Sequence, residues 1–312
     1  MIGLQVFKDF WINCQFNSYF SLITSINKSY IDAAYMNHYE YTIESIATGN
    51  GTNIKYLRSI PSIYQHKLMQ SIIKVSPIIV NNEIDIIDNA IELLKDNFIY
   101  VGVDLYYWIP NGICWQKYHK WDHYSLIKCY DNSKECFLVL DDNLNGFDIF
   151  EIPKSRFETA VANSFLHPTF LLVDYQKDIF DYSICFDDVI ANAKRLTKEL
   201  SELHVELWNY SDADIERGWY MDLFSTYFFS ISNRHIANML LFERLNNLKY
   251  INSASLAHFK AQFLKLINGW DIIKNKFLKG NMTVPKKLDC SAINDLKNIL
   301  VETEIKVWNL LI

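Results

Sequence analysis

Nine glycines and six prolines are all that the 312 residues contain, and this scarcity restricts the fold before any motif is read. Average usage is about 7% glycine and about 5% proline, so an ordinary chain of this length would hold roughly two to three times as many of each. Nucleotide-cradling loops need several glycines close together, and neither G-x-G-x-x-G nor G-x-x-x-x-G-K-[ST] occurs. Dinucleotide-binding and P-loop enzymes are thereby excluded. Gly49-Asn50-Gly51 is the one close pair and reads as a turn. Repeat architectures and small barrels with glycine corners are disfavoured. Long helices account for the shortage, because both residues are costly in helix interiors.

Composition narrows the class further. Half the residues are hydrophobic and 15% aromatic, too apolar for a disordered or solvating chain. Thirty basic against 36 acidic side chains give a net charge of −6. There is no global basic field, so nucleic acid is not the expected partner. The first ten residues carry Lys8 and Asp9 and show no signal-peptide pattern. The charge-free run from Phe10 to Asn27 holds eight polar residues, which is not a membrane span. Six widely spaced cysteines without a C-x-x-C pair read as free thiols in a reducing compartment, with the cytoplasm the expected location.

Along the chain, Phe16, Phe20, Ile23 and Ile26 predict a helix over 14–27 with Asn13 as its N-cap. Helical spacing also appears in Asp32–Tyr41, Ser62–Lys74 and Ile84–Asp96. Phe98–Tyr107 is rich in β-formers and predicts a buried strand. His123–Tyr130 and Cys136–Asp141 flank a turn at Asp131-Asn132-Ser133-Lys134 and predict a hairpin. Thr169–Tyr175 is a further strand. Beyond residue 180 apolar residues step by three and four through Val189–Leu207, Leu256–Phe277 and Ile293–Leu310, and Asp214–Leu248 reads as two further helical pieces. The expected class is α+β, with a mixed domain over 1–178 and an all-helical domain over 179–312.

Three chemistries were weighed. Cys114, His119 and His123 supply zinc-type ligands within ten residues, but no fourth Cys or His follows nearby, so no metal is expected. Adjacent carboxylates such as Asp141-Asp142 point to opposite faces of a strand and cannot form a facing hydrolytic pair. A cysteine nucleophile fares better. Cys14 stands where a helix begins, and there free N–H groups and the helix dipole stabilise an anion. Taken alone, it is also a residue type that is commonly just packed in a core. If Tyr130 faces Cys136, His123 lies opposite residue 143, and registers shifted by one or two bring residue 142 or 141 there. In each case a carboxylate or amide stands beside the imidazole. The third member of a triad is therefore Asp141, Asp142 or Asn143. The order Cys, His, Asp is that of papain-like enzymes.

Asn13-Cys14-Gln15, FIYVGVDLYYW at 98–108 and DHYSLIKCYDNSKECFLVLDD at 122–142 together resemble the butirosin biosynthesis protein H-like family, a papain-like, C39-peptidase-related set of cysteine acyltransferases. The resemblance covers roughly residues 10–150. It implies a papain-like cysteine protease fold with a C-terminal all-helical domain. It also implies a triad of Cys14, His123 and Asp141. The family's activity would be transfer of an acyl group from a phosphopantetheine thioester on an acyl or peptidyl carrier protein to a small amine, in one related case a diamine. That chemistry serves antibiotic and other specialised biosynthesis and needs no cofactor beyond the carrier's own. Two positions depart from the family pattern: Cys129 stands where Gly is usual, and Asp142 stands where Pro often follows the strand-ending Asp.

Candidate substrate-binding residues follow from position. Gln5 and Gln15 are the glutamines nearest Cys14 and the candidates for an oxyanion donor. Tyr106, Tyr107, Trp108, Trp115 and Trp121 crowd the loop before His123, where they would either wall an acyl channel or anchor the loop. Lys177, Lys194, Arg195 and Lys198 are candidates for a basic patch that docks an acidic carrier, or else plain helix-surface charges. The same triad with water as acceptor would make a peptidase or thioesterase. A scaffold with Cys14 merely packed would make a non-catalytic binding protein.

Overall fold

The computed structural model describes residues 3–47, 53–78, 85–119, 121–175, 180–203, 210, 219–283 and 288–312. The Gly49–Gly51 turn, Lys177, Leu207, the 178/179 boundary and residues 214–218 of the expected helical stretch lie outside them. The chain forms two compact units: Met1–Ile31 with Lys67–Asp181, and Asp32–His66 with Tyr182–Ile312. The division is therefore not one cut. The segment 32–66, expected in the mixed domain, belongs to the C-terminal unit and brings a β-hairpin into it, so that unit is not all-helical.

In the first unit the N-terminal helix α1 (Cys14–Ile26) begins where expected. It precedes an antiparallel six-stranded sheet made of β3 (Ile73–Pro77), β4 (Phe98–Asp104), β5 (Asp122–Asp131), β6 (Cys136–Asn143), β7 (Gly146–Pro153) and β8 (Phe170–Tyr175). The strand order is β3-β8-β4-β5-β6-β7. Helices α4 (Ile86–Leu93) and α5 (Lys154–Ala162) supply Ile87, Ala90, Phe157 and Ala160 to a core with Ile99, Val101, Val103, Ile127, Phe137 and Val139. These strand residues alternate, so they share one face of the sheet. The intervening Tyr100 lies on the other face, edge-on to Tyr19 of α1. Every residue of β4 is buried because both faces are covered. Gly102 is required there: a Cβ would fall 2.8 Å from Cβ of Leu166.

The expected hairpin forms with one correction to its register. Tyr130 pairs with Phe137, not Cys136, and a bulge between Ile127 and Cys129 then aligns Ile127 with Val139 and Leu126 with Leu140. The extra residue restores the predicted pairing on the His123 side of the bulge.

In the second unit β1 (Tyr39–Ala47) and β2 (Asn53–Pro61) form an antiparallel hairpin, followed in sequence by α6 (Phe186–Glu202), α7 (Trp219–Asn247), α8 (Ser253–Asn281) and α9 (Cys290–Asn309). The helix expected over Asp32–Tyr41 stops early: α2 covers only Ile31–Tyr35. Asn37 adopts a positive φ of 39°, and the chain then turns extended. Asparagine tolerates that left-handed position, and its side chain donates to Arg234 O at 2.9 Å. Tyr39 and Tyr41 then donate to the two oxygens of buried Glu304 on α9 at 2.6 and 2.8 Å. The stretch from Trp219 to Asn247 is one helix rather than two pieces. Gly269 permits the close approach of α8 to α9, since a Cβ there would lie 2.3 Å from Leu300 Cδ2. Among the described residues no helix is long and apolar enough to cross a membrane.

Candidate active site

Cys14 is the first residue of α1, and the backbone around it is pinned by amides. Asn13 is extended and its Oδ1 accepts from Phe16 N at 2.8 Å, as an N-cap should. Buried Asn17 accepts from Ile12 N and donates to Phe10 O, each at 2.8 Å, which fixes the segment entering the helix. The N–H groups of Cys14 and Gln15 lie in the first turn of the helix, where an α-helix has no intrahelical acceptor for them.

His123 is the second residue of β5 and pairs with Val103. Its Nε2 meets Asp141 Oδ2 at 2.8 Å, and Asp141 is only 1% exposed. Asp141 also accepts from Trp108 Nε1 at 2.9 Å on Oδ2 and from the Asp142 N–H at 2.9 Å on Oδ1. Because Nε2 is committed to Asp141, Nδ1 is the ring atom left to serve the thiol. The sulfur, a ring nitrogen and a carboxylate oxygen of Cys14, His123 and Asp141 all lie within 4.8 Å of one another.

Asp141 shares the α4–α5 face of β6 with Val139. Asp142, one residue on, projects to the face on which α1 lies. There its Oδ1 accepts the Cys14 thiol hydrogen at 2.6 Å. The two carboxylates are split as strand alternation requires, one beside the His123 imidazole and one beside the Cys14 thiol.

The electrostatics follow from this placement. Burial alone would raise Asp141, but the His123 charge, its hydrogen bond and the Asp142 N–H outweigh it and hold the carboxyl below the usual carboxylate range. Burial alone would lower His123, and Asp141 reverses this and raises it. Burial first and the Asp141 charge second push Asp142 up to about 6. Burial, then Asp142 and Asp141, push the Cys14 thiol well above its ordinary value. These neighbours favour the neutral Cys14 thiol, donating to Asp142, over a thiolate.

No protein-family model and no curated protein matches this sequence. The Cys14–His123–Asp141 group that the geometry assembles is compatible with a catalytic triad.

The other candidates divide. Gln5 is exposed, and its N–H donates to Ser25 Oγ near the far end of α1, about 16 Å from Cys14 at 1.5 Å per residue. Gln15 is exposed and turns along the helix to donate to Tyr19 Oη at 2.9 Å. Neither is placed to meet an oxyanion. Trp108 is fully buried, so it is not a channel wall but a support for Asp141. Tyr106, Tyr107 and Trp115 line a groove of about 280 Å³ with Arg156, whose guanidinium lies 4.9 Å from the Trp115 ring. Trp121 is half-buried, tilted against Tyr118, and its carbonyl closes the loop by accepting from Leu105 N.

The Cys114, His119 and His123 spacing does not converge, since His119 stacks on Tyr106 while His123 turns to Asp141. The triad atoms are close enough to share a cation, but both Asp141 oxygens and Nε2 are already in hydrogen bonds. Arg195 is spent on Glu199 and Asn192, and Lys198 lies 3.9 Å from Glu202. Lys194, on the same helix, is exposed.

Sequence reasoning missed Trp108 as a donor, a contact across 33 residues with no local signal. It named Asp142 only as an alternative partner of His123. Strand alternation would have assigned it to the opposite face had Asp141 been settled first.

Proposed function

We propose that the protein is a papain-like, cysteine-dependent acyltransferase that forms amides in antibiotic or other specialised biosynthesis. It would take an acyl group from a carrier-protein phosphopantetheine thioester and pass it to a small amine, as its resemblance to the butirosin biosynthesis protein H-like family implies. The observation that carries the reading is a helix-initiating cysteine beside an imidazole oriented by a buried, three-times-bonded carboxylate.

In the first half-reaction His123 takes the thiol proton as the sulfur attacks the thioester carbonyl. The oxyanion is met by the N–H groups of Cys14 and Gln15, and the pantetheine thiol leaves with the proton from His123. In the second, the amine attacks the acyl-Cys14, His123 passes an amine proton to sulfur as the C–S bond breaks, and the amide leaves. Asp141 holds the ring tautomer and stabilises the imidazolium in both. Thioester exchange is nearly isoenergetic and aminolysis runs downhill, so no ATP enters.

Incubation with an acyl thioester, with and without an amine, followed by mass spectrometry tests this. An adduct on Cys14 that an amine converts to amide is expected. Turnover surviving Cys14→Ala would sink the covalent mechanism. Free acid as the sole product, even with amine present, would instead make the protein a thioesterase or peptidase. Ligand retention without an adduct would make it a binding protein.

A further inference from the structure

Asp142 has no part in the triad, yet it lies closer to the nucleophile than any triad member is required to be. Its Oδ1 is 2.6 Å from Sγ, and the thiol is the donor its carboxylate uses. None of the described lysines or arginines forms an ion pair with it, so its charge is answered only by the thiol and by His123. A negative group in that position hinders thiolate formation, and the geometry gives it another use.

Resting on the acyltransferase reading, we propose that Asp142 is the subsite for the ammonium group of the acceptor amine, and that acylation of Cys14 opens it. While the thiol is free its hydrogen occupies Oδ1. A thioester sulfur carries no hydrogen, so acylation removes the donor and leaves two electron-rich atoms in repulsive contact. They part, and the carboxylate is left partly buried without a donor. An alkylammonium supplies both what is missing: N–H donors and a positive charge, in charge-assisted bonds of about 2.7–2.9 Å. An amine held there lies beside the thioester carbon, the near-attack placement that the second half-reaction needs.

The same carboxylate resolves a difficulty of that step. A primary alkylamine arrives protonated and must lose a proton before it can attack. Asp142 takes that proton as the C–N bond forms, and the second passes through His123 to sulfur as the C–S bond breaks. Acyl-Cys14, alkylammonium and Asp142 carboxylate thus become amide, Cys14 thiol and Asp142 carboxylic acid, which returns its proton to solvent. Burial and the neighbouring Asp141 raise the Asp142 carboxyl to about 6. That makes it a better proton acceptor than an ordinary carboxylate, and the positive charge of an ammonium beside it favours its ionised form.

The test uses the full-length protein acylated with the butyryl thioester of N-acetylcysteamine and verified by intact mass. The acyl-enzyme is then chased at neutral pH with an equimolar mixture of propylamine, which is cationic, and hydroxylamine, which is uncharged. The amide-to-hydroxamate ratio is expected to fall by about tenfold or more in Asp142→Asn, the range a charge-assisted contact supports. An unchanged ratio would overturn the proposal. A wild-type measurement avoids any folding defect in the variant: propylamine is expected not to compete with the thioester for the free enzyme, because the thiol still holds Asp142. Competitive inhibition of acylation by propylamine would overturn the gating. Failure of the wild type to form any adduct is a different result, and it refutes the acyltransferase reading itself.

Discussion

Trp108→Phe isolates the support beneath the His123–Asp141 pair. The indole N–H lies 2.9 Å from Asp141 Oδ2, and the two residues are 0% and 1% exposed, so no solvent stands ready to replace the donor. A hydrogen bond to a charged group contributes about 1.5–3 kcal/mol. Its loss is a roughly ten- to hundredfold change in the unfolding equilibrium, to which the smaller ring adds a void. Acidity separates the two parts. Asp141 is held below the ordinary carboxylate range, so the stability its ionised form contributes is complete above the unfolded value and is lost as pH falls through the folded one. The hydrogen-bond part of the defect should therefore be largest at neutral pH and shrink through the acid range, whereas the void part should not change. Urea titrations of both proteins at neutral pH and at the most acid pH at which both still fold measure this. Acylation of Cys14 should slow as well, because His123 loses a fixed acceptor. Coincident urea midpoints at neutral pH, or a defect equally large at both pH values, would refute the assignment of the indole to ionised Asp141.

Three other outcomes are expected. Alkylation of Cys14 by iodoacetamide should be slow at neutral pH and rise only in alkali, because burial and the two aspartates hold the proton on sulfur; Asp142→Asn should accelerate it by removing a negative charge, and a rate already at plateau at neutral pH would contradict this. Asp141→Asn should cut the acylation rate by about three to four orders of magnitude while keeping the side-chain shape, and NMR titration should find the His123 pKa lowered. Gly269→Ala should destabilise the protein by about 1–3 kcal/mol through overpacking against Leu300, with partial rescue by Leu300→Ala in chemical denaturation.

Much of the first unit was legible because its signals are local. The N-cap at Asn13, the unbroken β-forming run at 98–104 and the turn chemistry at 131–134 each act within a few residues. The long helices after 180 were legible because an apolar stripe is read over many turns. What was not legible depended on distant partners. Residues 32–41 carry helical spacing, but a left-handed Asn37 held by Arg234, 197 residues on, turns the chain into a strand. That strand is secured by Glu304, which no window around Tyr39 contains. Strand β7 went unread because the exposed Asp148 and Glu151, on opposite faces of the strand, interrupt the apolar pattern at an edge of the sheet. Trp108 read equally as a channel wall or a loop anchor because an aromatic in a loop is ambiguous until its N–H finds an acceptor.

The adjacent aspartates illustrate how little sequence separates two roles. Alternation along β6 sends Asp141 into the covered side with Val139 and Asp142 toward the helix that carries the thiol. The environments then diverge. Asp141 gathers three donors and is pinned as an ionised acceptor; Asp142 has a thiol hydrogen that the proposed chemistry consumes. Placing proline after the triad aspartate, as the resembling family often does, would remove the side chain that reaches sulfur. It would also remove the N–H that Asp142 donates to Asp141. An Asp142→Pro variant therefore alters both carboxylates at once, whereas Asp142→Asn keeps the N–H and alters only one. Comparing them separates the effect on the base from the effect on the nucleophile. If the asparagine variant slowed acylation as much as the proline variant did, the division of labour between the two aspartates would be wrong.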